Sequence, residues 1–224
     1  MNKIKIINKE IKSINFDSVQ IQVEESIPEL LTNYLLDWLE KYVEEGKTIE
    51  NEETLQFGFS MLKFQIEKNI LHIKGPDYKL IPFNWTKNLT NTFLVFKEQK
   101  FTVESFNLES EYAKLQDTAI VGIEFDKQPF IMSRYEPSKN NPNDSGWFIG
   151  SLKEEIDNNN PKNLSVKSLY EIVLKQPLSL PYLFFPKESF ISFKKGEVEV
   201  VNGDYFLKSK KGSYVEQKAA NTVY

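Results

Sequence analysis

His72 is the only histidine in the chain, Arg134 the only arginine, and there is no cysteine. These counts settle much of the chemistry. Thiolate nucleophiles, disulfides, zinc knuckles and iron–sulfur ligation all need cysteine. A two-histidine metal site, and most acid–base schemes built on imidazole, need more than His72. Ser145, in the string Asp144-Ser145-Gly146-Trp147, lacks the Gly-x-Ser-x-Gly elbow that presents a nucleophile. A Ser–His arrangement with His72 has no support in the spacing, and His72 reads as an exposed residue at polar-face parity in a strand pattern. Carboxylates are plentiful at Glu124, Asp126, Glu136, Asp144, Glu154, Glu155 and Asp157. A glycosidase needs two of them held a defined distance apart across a cleft, and solvated surface charge is their default reading. No EF-hand spacing and no glycine-rich phosphate loop occurs. The residue chemistry therefore names no catalytic residue, no metal site and no cofactor.

Charge bounds the partners. The chain has 28 Lys+Arg against 32 Asp+Glu, a net charge of −4, and a pI near 5.3. Nucleic-acid grips lean on arginine and a basic face, so none is expected, although a partner that itself grips nucleic acid is compatible. Residues 44–53 hold Glu44, Glu45, Glu50, Glu52 and Glu53 against one Lys47, a net −4 that equals the charge of the whole chain. That segment reads either as a solvated helix end and loop or as an acidic docking surface for a basic protein. The alternating, charged start gives no signal peptide, and no window approaches the ~18 apolar residues of a membrane span. The expectation is a cytoplasmic protein.

The elements that must position these residues follow from periodicity. Ile27, Leu30, Leu31, Tyr34, Leu35, Trp38, Leu39, Tyr42 and Val43 form a helical stripe. Ser26 and Glu29 suit a capping box, and Gly46 suits the C-terminal left-handed position. Before the helix, Val19, Ile21 and Val23 alternate as a strand. After it, the apolar parity switches between Leu55–Met61 and Leu62–Ile66, which predicts a bulge or bend near Ser60–Leu62. A turn at Glu67–Asn69 then leads into Ile70–Ile73. Thr86–Phe101 is ambiguous, since Leu89, Phe93 and Phe96 fit helical spacing and Phe93–Phe96 equally suits a strand, and helix is favoured; the polar stretch Ser105–Leu115 reads as a domain boundary. The second half reads as strands at Ala119–Phe125 and Pro129–Arg134, polar loops at Pro137–Asp144 and Asp157–Pro161, and a helix capped by Ser165 and stopped by Pro177. An alternating run at Ser189–Phe193 and a hairpin around Asn202-Gly203 complete it. In Asp144-Ser145-Gly146-Trp147, Asp144 suits an Asx turn and Gly146 a positive φ. Trp147 is then either a core ring set by that turn or an exposed anchor for a partner.

Over residues 119–193 the chain resembles the immunity protein 33 domain of bacterial polymorphic-toxin systems. The resemblance is carried by Arg134-Tyr135-Glu136, then Asp144-Ser145-Gly146-Trp147, then Phe148 and Gly150, followed by Glu154 and Glu155. The segments Leu164–Leu174 and Pro177–Pro186 are also similar to the family. The spacing around Phe148 is one residue shorter than the family pattern, and the acidic pair comes later after Gly150. The resemblance implies a protein that binds and neutralises a toxin rather than a catalyst. It marks Arg134, Glu136, Asp144, Ser145, Gly146, Trp147 and Gly150 as the motif and as candidate partner contacts.

These readings combine into an α+β protein of two packed subdomains, each a curved, mostly antiparallel sheet with one or two covering helices. Residues 1–110 would form the first subdomain, 111–208 the immunity-protein-like one, and 209–224 a flexible tail. The leading function is a non-catalytic immunity protein with a cognate toxin as partner and without nucleic acid, membrane or cofactor. A small hydrolase with a carboxylate site and a regulatory or scaffold module are the alternatives. Oligomeric state is not legible.

Overall fold

The computed structural model describes residues 3–194 and 196–221. The chain divides into two units, Met1–Lys97 and Glu98–Tyr224. The division falls ahead of the polar connector to which composition assigned it, and inside a helix, α2 (Thr90–Ser105). A change in composition marks where regular structure ends, and here regular structure continues through the division.

The first unit is built on β1 (Ile4–Glu10), β2 (Ser18–Glu24), β3 (Thr54–Phe57), β4 (Ser60–Glu67), β5 (Ile70–Pro76) and the two-residue β6 (Trp85–Thr86). The strand order is β1-β2-β5-β4-β3, with β6 on β5. Only β2–β5 is parallel, because the helix α1 (Glu29–Glu44) intervenes between β2 and the β3–β5 meander. The parity switch after Met61 is not a bulge. It follows a two-residue hairpin, Gly58-Phe59, with Phe57 paired to Ser60. The turn after Glu67 has Lys68 and Asn69 both at positive φ, the backbone of a type I′ hairpin.

Helix α1 starts two residues late for the expected capping box at Ser26: Pro28 is its N-cap and no side chain caps it. Its C-terminus ends as expected. Gly46 sits at φ +77, its N–H donates to the Val43 carbonyl, and the Lys47 N–H donates to that of Tyr42. Those two bonds form a Schellman motif. The apolar stripe is wider than the sheet can cover. Leu31, Leu35, Leu36 and Leu39 are buried against Val19, Ile21, Leu62 and Leu71, whereas Leu30, Tyr34 and Trp38 face solvent. Trp38 is 38% exposed and stacks on Tyr42 at 5.0 Å. Leu35→Ala should therefore cost about 3 kcal/mol, as a core truncation does. Trp38→Ala should cost only about 1 kcal/mol, the worth of an aromatic pair. Chemical denaturation of the two variants distinguishes these values.

The second unit holds β7 (Thr118–Gly122), β8 (Phe130–Arg134), β9 (Asp144–Ser151), β10 (Leu164–Ser168), β11 (Ser189–Lys194), β12 (Glu197–Asn202) and β13 (Tyr205–Leu207). Their order is β10-β7-β9-β8-β11-β12-β13, and only β7–β9 is parallel. Both units are thus α+β with mixed, mostly antiparallel sheets. The helix α3 (Leu169–Lys175) is capped by Ser168 rather than Ser165, in a full capping box with Glu171. Residues 164–168 are drawn into an edge strand on β7 instead, which delays the helix. A 3₁₀ turn, Pro177–Tyr182, follows. Within the segment expected to be a tail, Tyr214–Asn221 forms α4. Tyr214 stacks edge-on against Phe101 and bonds through its hydroxyl to the Glu98 carboxylate. Lys218 pairs with the same carboxylate at 2.6 Å.

Candidate functional site

The Asp144-Ser145-Gly146-Trp147 string forms a turn that begins β9. Asp144 accepts from the backbone N–H of Gly146 at 3.0 Å and of Ser138 at 2.7 Å, which makes the expected Asx turn. Gly146 sits at φ +74, and any side chain there would collide with the Tyr135 carbonyl oxygen. The Ser145 hydroxyl donates to the Thr118 carbonyl at 2.7 Å and accepts from the Trp147 N–H, so it ties β9 to β7. Trp147 is 1% exposed, and its indole N–H donates to the Leu183 carbonyl at 3.3 Å.

Arg134 lies beside that ring, 5.6 Å from its centroid, and is also buried. Its guanidinium donates to the carbonyls of Ser145, Glu111 and Phe185 and reaches toward that of Leu183. Burial pulls Arg134 below the usual guanidinium range, and the carboxylates of Glu111 and Asp117 oppose the shift. Arg134 and Trp147 are therefore core groups rather than exposed side chains. They staple β8 and β9 to the segments 111 and 183–185, because neither group is left a solvent-facing edge. Glu136 is the exposed member of the motif and pairs with Lys187 at 2.8 Å. Gly150 lies beneath the Asn158 carboxamide and the Phe148 ring, where a Cβ has no room.

The other candidate residues lie apart. In the first unit, Glu44 and Glu45 end α1, and Glu45 pairs with Lys47 at 2.7 Å. Glu52 pairs with Lys63, Glu53 accepts from the Glu50 N–H, and Glu50 accepts from Asn15. Four of the five acids are thus engaged locally. His72 lies on the polar face of the first sheet, between Gln20 and Gln65 in register. It is half-buried rather than exposed, because Glu67 and Lys87 close over it. Burial, followed by Lys87 and Lys74, holds His72 below the usual imidazole range against the pull of Glu67. Above an unfolded-state value near 6.5 the group is neutral in both states and this favours neither. As pH falls below that value, the unfolded chain takes up a proton that the native state resists, and stability is lost. His72→Gln should therefore lose less melting temperature than the parent between pH 7 and about 5. Of the other carboxylates, Glu124 sits between Lys127 and Lys153. Among the described residues, no group of His, Asp and Glu could hold a metal ion, and no helix is long and apolar enough to cross a membrane.

The second sheet has one covered face. Ala119, Val121, Met132, Trp147, Ile149, Ile191 and Phe193 point into the core, where α3 and residues 182–185 supply further buried side chains. The opposite face is open. Along it runs one row of directly paired residues: Val166 with Ile120, Ile120 with Phe148, Phe148 with Ser133, Ser133 with Phe190, Phe190 with Val201 and Val201 with Phe206. The row crosses all seven strands, six spacings of about 4.8 Å. Val166, Ile120, Phe190 and Phe206 are exposed. Two adjoining hollows lie along it. One, of about 560 Å³, is lined by Ile120, Ser133, Phe148 and Leu164 together with Glu136 and Asp144. The other, of about 440 Å³, is lined by Ser133, Phe190, Glu136, Lys187 and Glu188.

This face was missed in the sequence, although a signal existed. Ala119-Ile120-Val121 and Trp147-Phe148-Ile149 are apolar at both parities, which is the pattern of strands apolar on both faces. Too few helices follow to cover both.

Comparison with known proteins agrees with the motif. Residues 98–204 match the family model of the Imm33-like domain, a span that contains β7–β12 and α3. No curated protein and no solved structure gives a significant match to the chain.

Proposed function

We propose that this chain, whose residues 98–204 carry an Imm33-like domain, is a non-catalytic immunity protein that binds and neutralises a cognate polymorphic toxin in the cytoplasm. The observation that carries the reading is the open apolar row, because it is built almost wholly by the matched segment. Exposed apolar patches of this breadth mark interaction surfaces, since leaving them in water favours association. The row spans roughly 29 Å across the sheet. The engaged hydroxyl of Ser145 and the ion-paired Glu124 and Glu136 support binding over catalysis.

The test is co-expression with the toxin encoded beside the gene. The parent chain should protect the cell and co-purify with the toxin. Ile120→Asp with Phe190→Asp should abolish both while the circular dichroism spectrum stays native, because a charge is placed in a surface that must be desolvated. Failure of the parent chain to protect or co-purify would sink the proposal.

A further inference from the structure

Helix α1 has one face turned away from the sheet, and its exposed residues fall in adjoining pairs one turn apart: Glu29 with Leu30, Asn33 with Tyr34, Asp37 with Trp38. Residues four apart stack along a helix, so the pairs sort into two parallel lines. One line is apolar, Leu30, Tyr34 and Trp38, and runs about 12 Å along the axis. Leu30 is 74% and Tyr34 59% exposed. Both rings are nevertheless held in place. Tyr34 stacks on Phe96 at 5.9 Å and lies against Phe57, and Trp38 stacks on Tyr42. An exposed ring already fixed from one side loses little freedom when a partner covers it. The other line is polar, Glu29, Asn33, Asp37 and Lys41, with Glu44 and Glu45 beyond it.

Charge is segregated within the first unit. Residues 24–53, which contain α1, hold ten acids against Lys41 and Lys47, a net −8. The remaining residues of 1–97 hold four acids against ten lysines, a net +6. Lys9 pairs with Asp37 and Glu40, Lys63 with Glu52, and Lys47 with Glu45. With Lys9 and Lys63 counted in, residues 24–53 still stand at −6.

We infer that α1 docks a cationic amphipathic helix of another protein, its apolar side chains along Leu30, Tyr34 and Trp38 and its Lys or Arg side chains toward Glu29, Asp37 and Glu44. Helix α1 lies outside the residues 98–204 that carry the Imm33-like domain, so this contact stands apart from the proposed toxin neutralisation. A straight line of side chains four apart is a ridge, and such a ridge seats in the groove of a second helix. Charge selects among the occupants. A nucleic acid or an anionic bilayer brings phosphates to an acidic segment and is repelled. A second copy of the chain brings the same −8 to this face. A cationic helix is attracted, and the opposed charges fix its register.

The experiment is titration of a synthetic amphipathic helix of Leu and Lys, about 18 residues long, into the full chain at about 0.05 M and 0.5 M salt. The peptide should bind, at least ~10-fold more tightly at the lower salt. Leu30→Ala and Trp38→Ala should each weaken binding ~10-fold or more. Leu30 is exposed enough that its truncation should leave the melting temperature unchanged, so the loss reports the contact and not the fold. Glu29→Gln with Glu44→Gln should slow association and flatten the salt dependence. Phe190→Asp, in the second unit, should change nothing. No binding, or an affinity that survives both Leu30→Ala and Trp38→Ala, overturns the inference. Binding abolished by Phe190→Asp overturns it by assigning the peptide to the open row of the second sheet. Equal binding of a peptide of Leu and Glu overturns the charge matching on which it rests. A parent chain that sediments as a dimer, and that Leu30→Asp converts to monomer, assigns the face to a second copy and also overturns it. Protection against the toxin is decided separately, by co-expression.

Discussion

Arg134→Met should destabilise the second unit by about 3–5 kcal/mol, the range seen when one side of a buried charged network is removed. Methionine fills much of the same volume, so the loss reports polar groups rather than a cavity. The carbonyls of Glu111, Ser145 and Phe185 would each lose a donor within the core, and an unpaired buried acceptor costs about 1–3 kcal/mol. Arg134→Lys should recover only part of the loss. A planar guanidinium reaches carbonyls on three segments from one position, and an ammonium presents its donors at a single point. Urea denaturation of the parent and the two variants gives the ordering: parent, then Lys, then Met. A cost below about 1 kcal/mol for Met would mean that water reaches those carbonyls and that the staple is not structural.

Trp147→Ala should cost a similar amount, about 3–5 kcal/mol, for a different reason. The ring is among the largest fully buried side chains, and its removal opens a cavity between β9 and residues 182–185. It also removes the donor to Leu183 and the ring face beside the guanidinium. Because Arg134 and Trp147 share those neighbours, the double variant should cost less than the two single costs added together, and a double-mutant cycle measures the shortfall. A mild effect with weakened toxin binding would instead make Trp147 a surface anchor, against its 1% exposure.

What the sequence disclosed and what it hid divide along the range of the determining interactions. The Asx turn at Asp144, the left-handed Gly46 and the core placement offered for Trp147 were legible, because each is decided within a few residues. The cap at Ser168 was misplaced to Ser165, because an edge strand claims residues 164–168 and pairing with β7 is not written locally. The stripe of α1 was legible as a helix. Which third of it meets the sheet was not: Trp38 shares the stripe with Leu35 yet faces solvent. Of the conspicuous motif, Arg134 and Trp147 turn into the core, while Glu136, Asp144 and Gly146 border the hollows of the face proposed for binding. The rest of that face is built from residues that looked like ordinary strand interior.

The single buried arginine also makes the chain its own unfolding reporter. An arginine-specific protease has one bond to cut, Arg134–Tyr135, and β8 lies within the sheet between β9 and β11. Proteases need an extended, accessible segment, so the native strand is a closed substrate. Cleavage into residues 1–134 and 135–224 then proceeds only through molecules whose second unit has opened, and the cutting rate counts that population directly. Residues 1–97 offer such an enzyme no site, because they hold no arginine.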